Sequence, residues 1–499
     1  MKKNIIANYI GRFWGIFSNI LFIPLYIHFL GIEGYSIISF SLVLAGLMII
    51  LDAGMTTTLS KEFASKSNSL STKQKLFTSL ETIYLLIACF IIILFFVFSN
   101  LIANNWLNIE HITPAKVSNY INILGIGIAF QLLSQFYWGG LIGLEQQVKA
   151  NIYQIGLGVV RNGMVILPLI YWPNLYVFFI WQTSIMIIYT IIIRRSLVKS
   201  IFTHFAINDF LKFDRAVIKR VWGFAGGVLL ISLVAALNSQ MDRVAISKFL
   251  PLVSLGYYTL AVSLAQGLLI IISPLGTAIF PRLTALYSEN RQNEATELFQ
   301  NVFLISNILI FAFASNMIFN AESLLWIWTG NTKLAIESAP FIPYLAVGLA
   351  VGSLQTIPYY ISLANGVTKY NNYLGLISLI ITFPGYWLMT KTYGAIGAAI
   401  VMCSVRIMLT PIYLYIINKK FIHLSPLKEF IKKVMLPATL TILISFLFSN
   451  IDYFDNSRWL KLAWIGTATA STLIITIIAF LKKEDVIKII RIKTRINIK

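Results

Sequence analysis

Runs of about twenty consecutive apolar residues recur from one end of this 499-residue chain to the other. No other feature restricts its fold so severely. Each run is long enough to cross a hydrocarbon core of about 30 Å. Inside lipid every backbone polar group must find its partner within the protein, so such runs have to be helices. They are continuous rather than alternating, which excludes an outer-membrane barrel. About fourteen can be placed, from 5–30 to 459–480, and the expected fold is an all-α integral membrane protein. The composition agrees, with 58% hydrophobic and 12% charged residues. A soluble domain carries about 45–50% apolar and about 25% charged residues.

The formal charge of +20 would fit a nucleic-acid binder if it formed a patch, but it is spread over alternate loops. An even number of spans puts both termini on one side. With that side cytoplasmic, the inside segments hold 29 Lys and Arg residues, whereas the outside segments hold five: Lys116, Lys333, Lys391, Arg458 and Lys461. This is the positive-inside pattern, so both termini are expected in the cytoplasm and no nucleic acid is expected as a partner. Cys89 and Cys403 lie within apolar runs and offer neither a disulfide framework nor metal spacing. Met1-Lys2-Lys3 leads straight into the first run without a small-residue cleavage site, so that span is expected to be retained.

The largest basic connection, 194–220, divides the chain into halves that repeat. Gly34-Tyr35 recurs as Gly256-Tyr257, and Lys149, Asn151 and Tyr153 recur as Lys369, Asn371 and Tyr373. The offset is nearly constant, which is the mark of an internal duplication. The expected organisation is an N-terminal six-helix lobe (1–195), a basic cytoplasmic linker (196–221), a C-terminal six-helix lobe (222–420), and two additional helices with a basic tail (421–499). An even number of spans per lobe makes the repeat parallel, about an axis along the membrane normal.

Residues kept polar at bilayer depth are the places to look for function. In the first run Asn4, Asn8, Arg12, Gly15, Asn19 and Tyr26 share one helical face, and in the seventh Ser232, Ala236, Ser239, Arg243 and Ser247 do the same. Gln131, Gln135 and Trp138 line a face of the fourth run, and Gln355, Tyr359 and Ser362 a face of the tenth. Serines and small residues are also what membrane helices pack with. The arginines favour a wet interior, because Arg12, Arg161, Arg243 and Arg406 lie within spans where an unpaired charge costs several kcal/mol. Arg12 is close enough to its helix start to snorkel instead. Asp52 and Asp242 are candidates for ion coupling or gating, or for pairing with an arginine on another helix. Glu81 and Lys248, near span ends, are expected at the interface. Pro24, Pro168, Pro274, Pro358 and Pro384 are expected to kink their helices.

No phosphate loop, ATPase signature or histidine–carboxylate cluster appears. No cofactor, metal or catalytic residue is therefore expected. Any energy source has to be an ion gradient, the membrane potential or the substrate gradient.

The stretch Asp242-Arg243-Val244-Ala245-Ile246-Ser247-Lys248, followed by Leu255-Gly256-Tyr257-Tyr258, resembles a signature of polysaccharide flippases. These belong to the multidrug/oligosaccharidyl-lipid/polysaccharide exporter superfamily. Leu30-Gly31-Ile32-Glu33-Gly34-Tyr35, Asp52-Ala53-Gly54, Pro281-Arg282-Leu283, Trp328-Thr329-Gly330 and Tyr393-Gly394-Ala395-Ile396-Gly397-Ala398-Ala399 continue the resemblance in order over about residues 5–420.

The resemblance implies a MATE-like pair of pseudo-symmetric six-helix bundles working by alternating access in a bacterial inner membrane. It implies a polyprenyl-diphosphate-linked oligosaccharide as substrate, of O-antigen or capsule type, with a glycan polymerase and a chain-length regulator as further partners. The polar stripes and intramembrane arginines, rather than the resemblance, supply the candidate cavity residues, Arg12, Asn19, Gln135, Arg161, Ser239, Arg243, Gln355 and Arg406, and a planar guanidinium suits a diphosphate. A multidrug cation exporter and a lipid II flippase share this architecture and stand as alternatives. A membrane glycosyltransferase or glycan polymerase usually places catalytic acidic residues or a large external loop between spans, and the longest outside loops here are under twenty residues.

Overall fold

The computed structural model describes residues 14–15, 17–65, 69–202, 214–451 and 457–481, with the backbone alone described at 215–227 and at 273. Among them no strand occurs beyond one isolated bridge, Asn108 with Pro251. Among the described residues twelve stretches are long and apolar enough to cross a membrane. Their outer faces are apolar: Leu86, Phe90, Ile93, Phe96 and Val97 are all exposed on one long helix. A soluble protein does not expose such a band, and a lipid-facing surface requires one.

The chain divides into two compact units, Met1–Thr259 with Tyr386–Ala395, and Leu260–Gly385 with Ile396–Lys499. The lobe boundaries expected from the repeat divide the chain differently.

The first unit contains α1 (Ile23–Met48), α2 (Met55–Ala64), α3 (Leu70–Leu101), α4 (Pro114–Gly143), α5 (Gln147–Leu157), α6 (Ile166–Tyr171), α7 (Leu175–Ile201) and α8 (Arg215–Phe249). It also holds the first turns of α9 (Leu252–Ser288). Its centre is aromatic: the rings of Tyr84 and Phe136 are 4.3 Å apart, and Phe77 stacks on Phe136 at 5.9 Å. Below them Glu81 of α3 takes the Arg194 guanidinium through two hydrogen bonds, 2.7 and 3.1 Å, and accepts a third from the Tyr137 hydroxyl at 2.7 Å. Glu81 is only 2% exposed. Glu81 is thus enclosed by the bundle, where Arg194 and Tyr137 satisfy its carboxylate. Lys248 does sit at a turn, its ammonium donating to the Asn105 carbonyl at 2.8 Å and lying over the Trp106 ring.

Small residues set the helix spacing. Gly139 and Gly143 form a GxxxG pair on α4 against α2. A Cβ on Gly143 would stand 2.6 Å from the Ser60 carbonyl oxygen and 2.8 Å from its Cα. The Ser60 hydroxyl uses this closeness, donating to the Gly139 carbonyl at 2.5 Å.

The second unit contains α10 (Gln292–Phe319), α11 (Ala321–Thr329), α12 (Thr332–Ser338), α13 (Ile342–Ser353), α14 (Thr356–Ala364), most of α15 (Lys369–Ile417), α16 (Pro426–Phe430), α17 (Leu436–Ser449) and α18 (Arg458–Phe480). The final two long helices dock on α10 through buried polar contacts. Ser315 meets Ser445 at 2.8 Å, and the Asn316 amide donates to Ser445 at 2.8 Å and to Thr472 at 3.4 Å.

Prolines act where their missing N–H and their clash with the carbonyl four residues back predict. The break at Met164–Val165 precedes Pro168, and that at Leu354–Gln355 precedes Pro358. Pro274 and Pro384 instead lie inside continuous helices. Glycine makes two sharper turns: α1 leaves helical geometry at Gly31 (φ 71°) and α15 at Gly394 (φ 65°), conformations glycine adopts without a Cβ penalty.

Candidate functional site

The most elaborate polar cluster of the first unit is built on a backbone irregularity. Between α5 and α6 the segment Gly158–Gly163 is a π-turn, which breaks the i to i−4 hydrogen-bond ladder in lipid. Irregular backbone at that depth must be satisfied by neighbours, and three consecutive carbonyls are. Trp181 Nε1 donates to Val160 at 3.1 Å, Gln182 Nε2 to Arg161 at 3.1 Å, and the Tyr26 hydroxyl to Asn162 at 2.5 Å. The same Gln182 accepts from Arg161 Nε at 2.5 Å. One amide thus holds both ends of Arg161, side chain and backbone. Asn162 in turn donates to Asn19 at 3.0 Å. Asn19 and Arg161, candidates from two different apolar runs, therefore belong to one cluster.

A second cluster lies on α8. Arg243 Nη1 donates to Gln240 at 3.3 Å, and Gln240 donates to the Ser239 hydroxyl at 3.5 Å. Gln240 fits because Gly46 of α1 has no side chain: a Cβ there would stand 2.6 Å from its Nε2. Arg243 Nε is buried and has no hydrogen-bond partner among the described residues.

Both aspartates are held by tyrosine hydroxyls. Asp242 Oδ2 accepts from Tyr258 at 2.9 Å, while its Oδ1 has no partner among the described residues. Asp52 ends the 3-10 turn Ile49–Asp52 and accepts from both Tyr84 and Thr56. The pairing with arginine weighed for these carboxylates is absent among the described residues. Neither Arg161 nor Arg243 forms an ion pair there.

In the second unit Gln355 Nε2 donates to Thr410 at 2.7 Å. One turn earlier on α15, Arg406 is exposed, and its Nη1 occupies space that a Cβ on Gly352 would contest at 2.7 Å. Gln355 and Arg406 thus share one seam, between the α13–α14 junction and α15. Gln135 is half-buried on α4. Arg12 lies outside the described residues, as do Asn4 and Asn8.

Sequence periodicity missed the residues that hold these groups: Gln182, Trp181, Gln240, Tyr84 and Tyr258. A lone amide in the apolar run from Phe178 to Ile193 was the available signal for Gln182. Among the described residues no group of three or more His, Cys, Asp or Glu could hold a metal ion.

Residues 1–287, more than half of the chain, match the family described as polysaccharide biosynthesis protein. The chain belongs to that family. A second family, MatE, matches residues 228–388. This family member is 23% identical over 391 residues to the Shigella flexneri "Putative O-antigen transporter", a match spanning 77% of this chain and 90% of the relative. Its fold is shared with an inward closed conformation of the lipid II flippase MurJ, at TM-score 0.72 and 16% identity over 95% of this chain and 98% of the other. It is shared too with an inward-facing multidrug resistance MATE family transporter of the MOP superfamily, at TM-score 0.67 and 12% identity over 81% and 94%. The family member is a multi-pass membrane protein with a MOP-superfamily fold.

Proposed function

We propose that this protein is a flippase that moves undecaprenyl-diphosphate-linked oligosaccharide units from the cytoplasmic to the outer leaflet by alternating access. The reading takes the two six-helix lobes expected from the repeat as the moving halves, the termini as cytoplasmic and the inner membrane as its location. The observation that carries it is the state of the arginines. Arg161 and Arg243 are held at bilayer depth by uncharged amides and form no ion pair among the described residues. A positive charge kept there without a carboxylate costs several kcal/mol, and an anionic ligand offsets that cost. A diphosphate supplies the charge, and the guanidinium fork supplies the geometry.

The sugar needs the same polar lining. Each hydroxyl stripped of water without a replacement hydrogen bond costs about 2–7 kcal/mol, so the oligosaccharide has to cross among groups such as Asn19, Gln135, Ser239 and Gln355 while its lipid tail stays in the bilayer. Asp52 and Asp242, each a carboxylate held by a tyrosine, are the proposed coupling or gating groups. A glycan polymerase and a chain-length regulator are the proposed partners. Transport, not covalent catalysis, is the activity this arrangement supports.

A deletion strain is expected to accumulate the lipid-linked repeat unit facing the cytoplasm. The variant carrying Arg161→Ala, Arg243→Ala and Arg406→Ala is expected to reach the membrane at normal level and fail to restore glycan export. Full export by that variant would remove the arginines from the mechanism.

A further inference from the structure

A cavity of about 470 Å³ opens in the second unit between α10, α14, the end of α15 and α16. Its walls are apolar, with Phe299, Phe303, Pro411, Leu414, Ile422 and Phe430 among them. The volume falls within the range of about 300–1,000 Å³ usual for small-ligand sites.

The mouth is a built structure. Helix α15 runs into a π-turn, Asn418–Ile422, and the chain then reverses into α16. Asn418 staples the reversal: its amide donates to the Leu424 carbonyl at 2.7 Å and accepts from the Leu424 N–H at 3.3 Å. His423, in a left-handed conformation (φ 58°), donates its N–H to the Asn418 carbonyl at 2.7 Å.

Charge at this mouth is one-sided. Between Asn418 and Val434 the chain carries five lysines and a single acid, Glu429. Glu429 is taken by Lys433 at 3.2 Å. Lys419, Lys420, Lys428 and Lys432 are exposed and form no ion pair among the described residues. Lys419 follows the lining residue Asn418, and Lys428 sits between the lining residues Leu427 and Glu429.

We propose that this groove binds an anionic phospholipid of the cytoplasmic leaflet, one acyl chain in the apolar cavity and its phosphate among Lys419, Lys420, Lys428 and Lys432. In a bilayer the cavity alone selects nothing, since lipid tails are as apolar as the side chains lining it. Selection rests on the headgroup, and a basic pocket between helices on the cytoplasmic side is what holds an anionic one. Of the arginines proposed for the substrate, Arg161 and Arg243 belong to the first unit and Arg406, though in the second, does not line the groove, so this groove has its own cations and is assigned its own ligand. The assignment rests on the cytoplasmic orientation proposed above.

The test uses full-length protein in phosphatidylcholine nanodiscs with a trace of photoactivatable phosphatidylglycerol, the cross-linked peptides being mapped by mass spectrometry. Label is expected in 411–434, displaced by unlabelled phosphatidylglycerol and not by phosphatidylcholine. The Lys419→Gln/Lys420→Gln variant should need about thirty-fold more competitor lipid to saturate the site, and Lys419→Arg/Lys420→Arg should behave like the parent. Leu414→Trp, which fills the cavity and keeps every lysine, should lose the label. Equal displacement by phosphatidylcholine, or label surviving Leu414→Trp, would overturn the site. Stronger displacement by undecaprenyl phosphate than by phosphatidylglycerol would give the groove to the substrate tail instead. Cross-linking is read without transport, so its outcome is separate from that of the flippase reading.

Discussion

At Asp242 one carboxylate oxygen accepts from Tyr258, while the other, in the same buried setting, has no partner among the described residues. Leaving a buried polar atom unsatisfied costs about 1–3 kcal/mol, and an ionised carboxylate feels this most. Groups kept at such a cost tend to mark functional sites, where stability is traded for activity. Asp242→Asn keeps the size and the Tyr258 contact but removes the charge. It is expected to raise thermal stability in detergent by about 1 kcal/mol while reducing glycan export. A less stable protein with normal export would make the carboxylate a structural group. Glu81 shows the opposite arrangement, with all its partners present. There the prediction is an asymmetry. Arg194, whose side chain is 27% exposed, can reach water when Glu81 is lost, whereas Glu81, at 3%, cannot when Arg194 is lost. Arg194→Ala is therefore expected to cost about 3–5 kcal/mol and Glu81→Gln clearly less, with the double variant recovering most of the Arg194→Ala loss. Thermal unfolding of the three purified proteins reads the order directly.

Helix by helix, the spacing of the bundle depends on glycine, and two positions give a matched comparison. Gly143→Ala would press a methyl group onto the Ser60 backbone of α2, whereas nothing lies within 4 Å of a Cβ on Gly156. The first change is expected to destabilise by about 1–3 kcal/mol; the second should be close to neutral, and melting temperatures of the two variants check this. Neither the Gly139–Gly143 pair nor its partner helix was singled out from the sequence. The helical class and the apolar belts were legible because a bilayer leaves the backbone few alternatives. The arginines Arg161 and Arg243 could be singled out because a charge in an apolar run stands out. Gln182 as the holder of Arg161, and Arg194 as the partner of Glu81, were not, because contacts between helices have no sequence period. The π-turn Gly158–Gly163 was likewise hidden, since three side chains from other helical positions stabilise it. Gly31 and Gly394 fall at or beside expected span boundaries, and we propose that Ile23–Asp52 and Lys369–Ile422 each contain parts of two spans. This would reconcile twelve candidate stretches with the fourteen read from hydropathy.

For the molecule as a whole, the proposed flippase needs a source of work, and the membrane potential is one of the sources that the sequence leaves open. A diphosphate carrying two negative charges from the cytoplasmic to the outer leaflet moves toward the positive side of an inside-negative membrane. At about 100 mV this is favourable by roughly 4–5 kcal/mol. The term is large enough to drive the step without a second substrate, provided the compensating charges stay with the protein. In the proposed cycle the arginines meet that condition, being covalently part of the chain and returning at each turn. The carboxylates Asp52 and Asp242 could change the balance, because a cation carried on one of them would cancel one of the two charges. Potential dependence therefore distinguishes the two arrangements. In proteoliposomes loaded with the lipid-linked oligosaccharide, a valinomycin-clamped potassium gradient sets the potential with no proton or sodium gradient present. Uncoupled movement of the diphosphate predicts that the logarithm of the leaflet distribution varies with potential as two charges, and that reversing the clamp reverses the distribution. A slope of one charge, returning to two in Asp242→Asn, would assign a coupled cation to that carboxylate. A slope of zero in the parent protein would show that the diphosphate does not cross the field as a net anion, and the electrostatic role given to the arginines would fall with it.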